Sequence, residues 1–359
     1  MNQSLEVGRF PDTFKEAYVT PLLKKPGLEA VFKNFRPISN LSFLSKVVER
    51  VVSKQIINHM QRNKLEVVCQ SAYKVHHSTE TALLKVHNDI LLAMDQRRVT
   101  LLVLLDLSAA FDTVDVSLLL KRLETDFGIC GKVLSWLSTY LIGRKQCVLI
   151  NNIKSGVASV PCGVPQGSVL GPLLFSLYTS PLCSIINEFG LSFHLYADDT
   201  QLYVTFDPDN VQSVTSAYKR MSECIRKVKD WMYRNKLKLN SDKTEFMVIG
   251  REYDVGKVSQ DTPEVEDVQI KASHSVRNLG SMFDSHFKME SHVNHICKTA
   301  FFQLKGISQI RKYLSQNATE KLVHALVTSR VDYCNSLLSG VSGNIVNFSV
   351  CRTWLPELY

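Results

Sequence analysis

Three aspartates stand where predicted strands end, and their carboxylates are suited to divalent cations. Asp106 follows the apolar run Leu101–Leu105, which predicts a fully buried strand. Asp198 and Asp199 lie between two runs with strand-like apolar residues, which predicts a hairpin with two acids at its tip. Converging carboxylates repel one another and lose hydration, so they persist most readily around hard cations. Two Mg²⁺ ions about 3.5–4 Å apart can activate an attacking oxygen and stabilise a leaving one.

Either acidic motif alone has a simpler interpretation. An Asp pair is common in turns because Asp accepts local backbone hydrogen bonds, and a single Asp after a strand often caps the next helix. Between the two motifs, however, Val164–Pro172 predicts a loop that enters a helix, and its two glycines let the backbone approach a ligand closely. The three motifs in this order favour a shared site over separate turns and caps.

In combination the motifs resemble the reverse transcriptase domain of non-LTR retrotransposons, the LINE-type and jockey-like elements. Asp106–Asp112 resembles the first catalytic motif of that family, Pro165–Pro172 the second and Tyr196–Asp199 the third. The resemblance runs from about residue 10 to about residue 340. It implies an RNA-directed DNA polymerase that adds deoxynucleoside triphosphates to the 3′-hydroxyl of a DNA primer, using an RNA template and two Mg²⁺ ions, with Mn²⁺ as an alternative.

The same resemblance assigns roles to particular residues. It implies that Asp106, Asp198 and Asp199 hold the metal ions, and that Lys243 protonates the pyrophosphate leaving group. The ring of an aromatic at position 111 would exclude a 2′-hydroxyl sterically. The implied nucleotide-binding residues are Lys24, Arg36, Phe111, Gln166 and Gly167, and the implied primer-grip residues are Leu279 and Gly280. An exposed basic loop is the alternative interpretation of Lys24 and Arg36.

The implied fold is an α+β right-hand polymerase, with fingers and palm built on an antiparallel sheet and a helical thumb. Fingers with part of the template-binding region are expected at residues 1–100, the palm with the catalytic motifs at 101–250, and a loop with the primer-grip hairpin at 251–285. A partial helical thumb is expected at 286–340 and a non-matching tail at 341–359. Because the family continues with further helices, the resemblance implies that the thumb is truncated.

Local signals predict the starts of several helices and one loop. Ser78 and Asp115 have the side chains of N-caps, and Asn317 has the same role at the second thumb helix. The stretch from Arg251 to Asp267 is polar, acid-rich and contains a proline, so it is predicted to be a loop.

Composition narrows the class of protein. The 359 residues are 45% hydrophobic and 21% charged, which is typical of a globular chain with a core. A net charge of +8 suits a polyanionic partner. Nine cysteines occur without a C-x-x-C pair, which indicates reduced thiols in an intracellular protein. The sequence does not distinguish the nucleus from the cytoplasm. The absence of a long apolar run predicts no membrane segment. Oligomeric state is not indicated.

Two other functions remain open on the sequence. The first is a catalytically inactive, truncated remnant of a retroelement that at most binds RNA, although the intact acids argue against gross decay. The second is an RNA-dependent RNA polymerase, which Phe111 and the Tyr196–Ala197 pair before the acids disfavour.

Overall fold

The computed structural model describes residues 2–25, 27–108, 111–240, 243–258, 264–265, 268–269 and 273–341. The predicted tail at 341–359 lies outside these residues except for Val341, as do Ala109 and Ala110 of the first motif. Much of the acid-rich stretch before the primer-grip hairpin also lies outside them.

The α-helices occur singly or in succession between groups of strands along the chain. They are α1 (Asn2–Val7), α2 (Phe43–Arg62), α3 (Thr79–Asp95), α4 (Val116–Thr125), α5 (Gly131–Leu141), α6 (Leu170–Thr179), α7 (Pro181–Glu188), α8 (Val211–Arg234), α9 (Glu252–Val255), α10 (Glu290–Ile310), α11 (Gln316–Val323) and α12 (Ser329–Val331). A π-helical stretch, His324–Thr328, joins α11 to α12. Short 3₁₀ turns lie at Asp12–Phe14, Phe32–Asn34, Arg311–Tyr313 and Asn335–Leu338.

The strands form small sheets. They are β1 (Glu16–Leu23), β2 (Phe35–Asn40), β3 (Val99–Leu105), β4 (Leu107–Ser108), β5 (Arg144–Ile150), β6 (Ile153–Lys154), β7 (Ala158–Val160), β8 (Ser192–Tyr196), β9 (Asp199–Phe206), β10 (Lys238–Leu239), β11 (Glu245–Ile249), β12 (Glu264–Val265), β13 (Val268–Gln269), β14 (Ser275–Asn278) and β15 (Ser281–Asp284). The mixture of helices with mainly antiparallel strands is the predicted α+β class.

Two compact units divide the described residues, and each draws on separate stretches of chain. The first comprises the described parts of Met1–Tyr73, Leu107–Glu188 and Lys227–Asn240. The second comprises the described parts of Lys74–Asp106, Phe189–Arg226 and Ser241–Tyr359. The predicted divisions were contiguous ranges named after polymerase subdomains, and they remain predictions.

The second unit is built around a four-stranded antiparallel sheet in the order β11-β3-β9-β8. Strand β3 is central and buried along almost its whole length, which explains its unbroken apolar sequence. Helix α3 packs on this sheet and contributes Leu83, Val86 and Ile90 to a core that also includes Phe283 and Leu337. A smaller apolar cluster joins α10 to the segment after it through Ala300, Leu304, Ile307, Val323 and Val327.

The first unit contains a sheet in the order β2-β1-β5-β6, with β7 also pairing with β5. The β1–β5 pair is parallel, a detail that the antiparallel prediction did not include. A parallel pair needs a long connection, and here more than a hundred residues separate the two strands. Aromatic rings of Phe10, Trp136 and Tyr140 pack together in this unit, with centroids 5.1–5.6 Å apart.

The predicted helix starts are confirmed at two of three positions. Ser78 accepts a hydrogen bond from the Thr81 amide, and Asp115 accepts one from the Leu118 amide. The third prediction was wrong, because Ser315 caps α11 by accepting from the Ala318 amide, and Asn317 lies inside the helix. The prediction of a loop from Arg251 was also wrong in part, since α9 forms there.

One helical stretch, Leu170–Glu188, is long and apolar enough to cross a membrane by length and composition, with a mean hydropathy of 1.2. Just over half of it, 56%, is buried inside the protein, and buried core helices pass the same test. It is therefore weak support for a membrane span.

Candidate active site

In the central sheet of the second unit, the pairing register of the strands determines where along the strands the predicted catalytic acids lie. Leu105 pairs with Thr200 in the β3–β9 ladder, and Tyr196 pairs with Asp199 in the β8–β9 hairpin. Asp106 directly follows Leu105, and Asp199 directly precedes Thr200, so the antiparallel register places these two aspartates opposite each other. The sheet thus brings Asp106 to the hairpin tip that bears Asp198 and Asp199.

A two-residue turn, Ala197–Asp198, closes that hairpin. Ala197 has a φ of +57°, in the left-handed region that residues with a Cβ adopt at a cost. Tight two-residue hairpins need such a positive φ because their twist must match the twist of the strands. The turn presents Asp198 at the tip and starts β9 with Asp199.

The carboxylates at the tip interact as like charges. Partial desolvation, the charge of Asp198 and the charge of Asp106 together raise the pKa of Asp199 to about 6, against the opposing charge of Lys243. The Lys243 ammonium lies 3.2 Å from Asp106 Oδ2 and is 66% exposed. We call Asp106, Asp198, Asp199 and Lys243 the carboxylate cluster.

The donor set of the carboxylate cluster fits a hard divalent cation. Aspartate oxygens are the ligands that Mg²⁺ prefers, and the raised pKa of Asp199 shows that the three carboxylates interact electrostatically. Within the ranges described above, no group of three or more His, Cys, Asp or Glu side chains is already gathered closely enough to hold a metal.

The predicted primer-grip residues form the turn of the β14–β15 hairpin in the same unit. Leu279 and Gly280 have φ angles of +43° and +91°, between the paired residues Asn278 and Ser281. The Asn278 side-chain amide donates to Gln201 Oε1 at 2.9 Å, and both side chains are buried. Because Gln201 lies two residues after Asp199, this bond ties the turn to the strand that carries the acid.

In the first unit, the loop before α6 packs on the end of the first motif and on the residues that follow it. The Val164 amide donates to Phe111 O at 2.8 Å, and the Gly163 amide donates to Val114 O at 2.8 Å. A Cβ on Gly163 would lie 2.7 Å from Asp112 O, so only glycine fits. The approach lets Gln166 Nε2 donate to Asp112 Oδ2 at 2.6 Å.

The side chain of Phe111 is fixed by a second ring. It stacks on Phe175, with centroids 4.7 Å apart and an interplanar angle of 29°. Phe175 is fully buried, so it supplies a rigid base for the more exposed Phe111 ring. Burial raises the pKa of Asp112, and the hydrogen bond from Gln166 opposes this shift.

A buried glutamate holds the start of α6. Glu49 is fully buried, and its Oε2 accepts hydrogen bonds from the Val169 amide at 2.7 Å and the Leu170 amide at 3.2 Å. Its Oε1 accepts from Ser45 Oγ at 2.7 Å. A carboxylate at a helix N-terminus satisfies otherwise unpaired amides and complements the helix dipole. We call Glu49, Ser45, the α6 amides and the Asp112–Gln166 pair the loop-support network.

The remaining predicted nucleotide-binding residues also lie in the first unit. The β1–β2 register pairs Leu22 with Arg36 and Leu23 with Phe35, which places Lys24 and Arg36 on one face of that hairpin. Gly167 has a φ of +87°, and a Cβ there would lie 2.9 Å from Ser39 O. A cleft of about 420 Å³ opens beside Gln166, Asp112, Ser39 and Arg144.

Two residues of these sites were missed by the sequence analysis. Glu49 lies on the apolar face of α2 with Val48, Val52 and Ile56. An acid on an apolar face is the feature of the sequence that indicates a buried, hydrogen-bonded carboxylate. Tyr333 contacts the primer-grip turn from 54 positions further along the chain, and its own neighbourhood in the sequence carries no signal for that contact.

Comparison with known families gives a match over most of the chain. The family described as "Reverse transcriptase (RNA-dependent DNA polymerase)" matches residues 23–283. These limits include all three acids of the carboxylate cluster, Lys243, and both primer-grip residues.

The curated relatives described next come from mobile elements of an insect. The chain is 29% identical to the probable RNA-directed DNA polymerase from transposon X-element of Drosophila melanogaster, over 82% of this chain and 32% of that protein. It is 28% identical to the probable RNA-directed DNA polymerase from transposon BS of the same species, over 89% of this chain and 35% of that protein. The chain thus spans about a third of the length of these relatives.

Solved structures with a similar fold include telomerases. Apo telomerase from Candida tropicalis, truncated from its C-terminal domain, matches with a TM-score of 0.51 and 12% identity over 77% of this chain and 54% of that one. The same enzyme in complex with a fragment of telomeric RNA matches with a TM-score of 0.50, also at 12% identity, over 93% of this chain and 56% of that one. At this identity the likeness shows the fold alone, and it confirms the predicted right-hand polymerase fold.

Proposed function

Because the chain belongs to the reverse transcriptase family, we propose that it catalyses RNA-templated addition of deoxynucleotides to the 3′-hydroxyl of a DNA primer, with release of pyrophosphate. One observation carries the proposal. The sheet register places Asp106 opposite Asp199, beside Asp198 at a hairpin tip, within the stretch that the family match covers.

The carboxylate cluster would hold two Mg²⁺ ions, or Mn²⁺, through Asp106, Asp198 and Asp199. When bound, such ions supply Lewis acidity for the attacking hydroxyl and charge compensation for the leaving pyrophosphate. The protein contributes the placement of the acids, since the β3 strand end and the β8–β9 turn fix them on one rigid sheet.

Lys243 would act as the general acid for the leaving group. Its ammonium is exposed to solvent yet lies 3.2 Å from Asp106 Oδ2, so it can donate a proton while its charge partly offsets the acids. Substitution of Lys243 by Arg would keep the charge and remove an accessible proton, because a guanidinium does not deprotonate in proteins.

Residues of the first unit would select the nucleotide. The Phe111 ring, fixed by its stack on Phe175, would exclude a 2′-hydroxyl by steric contact. Gln166, oriented by its bond to Asp112, would contact the nucleotide, and Lys24 and Arg36 would contact its phosphates. The RNA bound to the telomerase neighbour and the net charge of +8 support an RNA template, whose binding would weaken as salt rises.

Primer extension tests the proposal. A DNA primer annealed to an RNA template is extended with deoxynucleoside triphosphates and Mg²⁺, by the wild type, Asp198→Asn and the control Asp95→Asn, which changes an exposed acid at the end of α3. Loss of several kcal/mol of charge stabilisation predicts a fall on the order of 10³-fold for Asp198→Asn and none for the control. Equal extension by all three proteins would contradict the proposal.

Nucleotide choice separates a reverse transcriptase from an RNA polymerase. The wild type should incorporate deoxynucleotides in preference to ribonucleotides. Phe111→Ala should admit ribonucleotides about tenfold or more readily, because the ring no longer occupies the space of the 2′-hydroxyl. Wild-type preference for ribonucleotides would favour the RNA polymerase, and no extension with either would favour the inactive remnant.

A further inference from the structure

A tyrosine far outside the sequence motifs touches the predicted primer-grip turn. The Tyr333 hydroxyl donates a hydrogen bond to the backbone oxygen of Leu279 at 2.7 Å. Its ring lies against Gly280, where an added Cβ would come within 3.1 Å of ring and hydroxyl atoms. Both turn residues have positive φ angles, and this conformation has an energetic cost at Leu279, which contacts from outside the turn can offset.

The segment that carries Tyr333 is itself firmly held. Cys334, Leu337 and Leu338 are buried in the core of the second unit, with Leu83, Val86 and Phe283. Ser336 donates through its amide to Glu80 Oε1 at 3.1 Å and through its hydroxyl to the same oxygen. The phenol therefore projects from a fixed support, although the ring is 39% exposed.

The turn is consequently held on two sides within one unit. On one side, Asn278 bonds to Gln201 of β9, two residues from Asp199. On the other side, Leu279 bonds to Tyr333. Leu279 also packs against the same core through its side chain. With both bonds in place, the turn has a defined position relative to the strand that bears the acids.

We propose that Tyr333 is a positioning residue that fixes the Leu279–Gly280 turn and thereby sets how the enzyme holds the end of the primer. This inference rests on the proposed function, together with the primer-grip role that the sequence resemblance implies for Leu279 and Gly280. Tyr333 does not touch the reacting atoms. Its removal therefore changes the use of the primer and leaves nucleotide binding and the chemical step as they are.

The test compares Tyr333→Phe with Tyr313→Phe. The first removes only the hydroxyl that bonds to Leu279, and the second removes a hydroxyl from a ring that is 77% exposed on the segment after α10. Loss of the hydrogen bond to Leu279 predicts a rise of about three- to tenfold in KM for the primer–template in Tyr333→Phe, with KM for the nucleotide and kcat unchanged. The control should match the wild type in all three constants.

A second measurement reports the local stability of the turn and does not depend on enzymatic activity. Amide hydrogen exchange of the peptide that spans Leu279 and Gly280 should be faster in Tyr333→Phe than in Tyr313→Phe, with equal thermal midpoints for global unfolding. If the wild type extends no primer, the proposed function fails, and the exchange comparison still decides whether Tyr333 holds the turn. If the wild type is active and Tyr333→Phe matches the control in both readouts, the inference about Tyr333 is wrong.

Discussion

Carboxylates are used in opposite ways by the carboxylate cluster of the second unit and the loop-support network of the first. In the cluster, acids face acids, and the pKa of Asp199 is raised to about 6. In the network, the Glu49 carboxylate receives three hydrogen bonds from the Ser45 hydroxyl and the α6 amides. An acid surrounded by donors stabilises its fold, whereas acids that face each other cost stability and attract cations.

The largest expected effect on stability belongs to Glu49. Glu49→Leu leaves two α6 amides and the Ser45 hydroxyl without their acceptor, and it removes a charge that interacts with buried Arg144. Breaking such a buried arrangement predicts a loss of about 3–5 kcal/mol in the free energy of unfolding, measured by urea denaturation. Glu188→Gln, at an exposed site at the end of α7, should change it by less than about 0.5 kcal/mol. Equal stabilities would mean that Glu49 does not support the loop.

Backbone substitutions should also affect stability more strongly in the loop before α6 than in the hairpin turn of the carboxylate cluster. Gly163→Ala places a Cβ 2.7 Å from Asp112 O at a φ of +88°, which predicts a loss of about 2–3 kcal/mol. Ala197→Gly removes the strain of a left-handed alanine in the cluster's turn, but it also raises the conformational entropy of the unfolded chain. These two effects on the free energy of unfolding nearly cancel. Thermal unfolding of both variants measures the contrast. A well-tolerated alanine at position 163 would show that the close approach of the two segments is dispensable.

The smallest expected effect concerns charge at the hairpin tip. The folded pKa of Asp199, about 6, lies above the unfolded value of about 3.9, so its protonated form stabilises the fold. That contribution is complete below about pH 4 and is lost as pH rises through about 6. Because Asp199 itself is exposed to solvent, screening limits the loss to about 1 kcal/mol.

Asp199→Asn removes this dependence on pH. The stability of the wild type minus that of the variant, measured in a chelator, should fall between pH 4 and pH 7.5. Addition of Mg²⁺ at pH 7.5 should then stabilise the wild type more than the variant, because the cation binds the ionised acids. A difference that stays constant over this range would show that neither desolvation nor the neighbouring acids raise the pKa of Asp199.

The parts that the sequence predicted well are those fixed by local pattern. The unbroken apolar run of β3 and the alternation around Asp198–Asp199 specify a buried strand and a hairpin, and both formed. Their meeting at one sheet edge followed from the family resemblance, and the register agrees with it. The nucleotide-binding and primer-grip roles remain predictions, although Gln166 lines a cleft and Leu279–Gly280 form a turn.

The parts that the sequence missed depend on contacts between distant residues. Glu49 finds its partners about 120 positions away, and the parallel pairing of β1 with β5 joins strands separated by more than a hundred residues. The cap of α11 was missed for a local reason, because Ser315 and Asn317 are both good capping residues and only the backbone geometry selects between them.

The proposed roles of two aspartates in the same motif differ most sharply, because Asp106 would act in the chemistry and Asp112, six residues later, would act as a support. Single-nucleotide incorporation on an RNA template compares the same change at both sites. Asp106→Asn should lower kcat on the order of 10³-fold, because it removes a charged ligand. Asp112→Asn should keep activity within about tenfold, because an amide oxygen still accepts the bond from Gln166. Equal losses at the two positions, or full activity of Asp106→Asn, would contradict these roles.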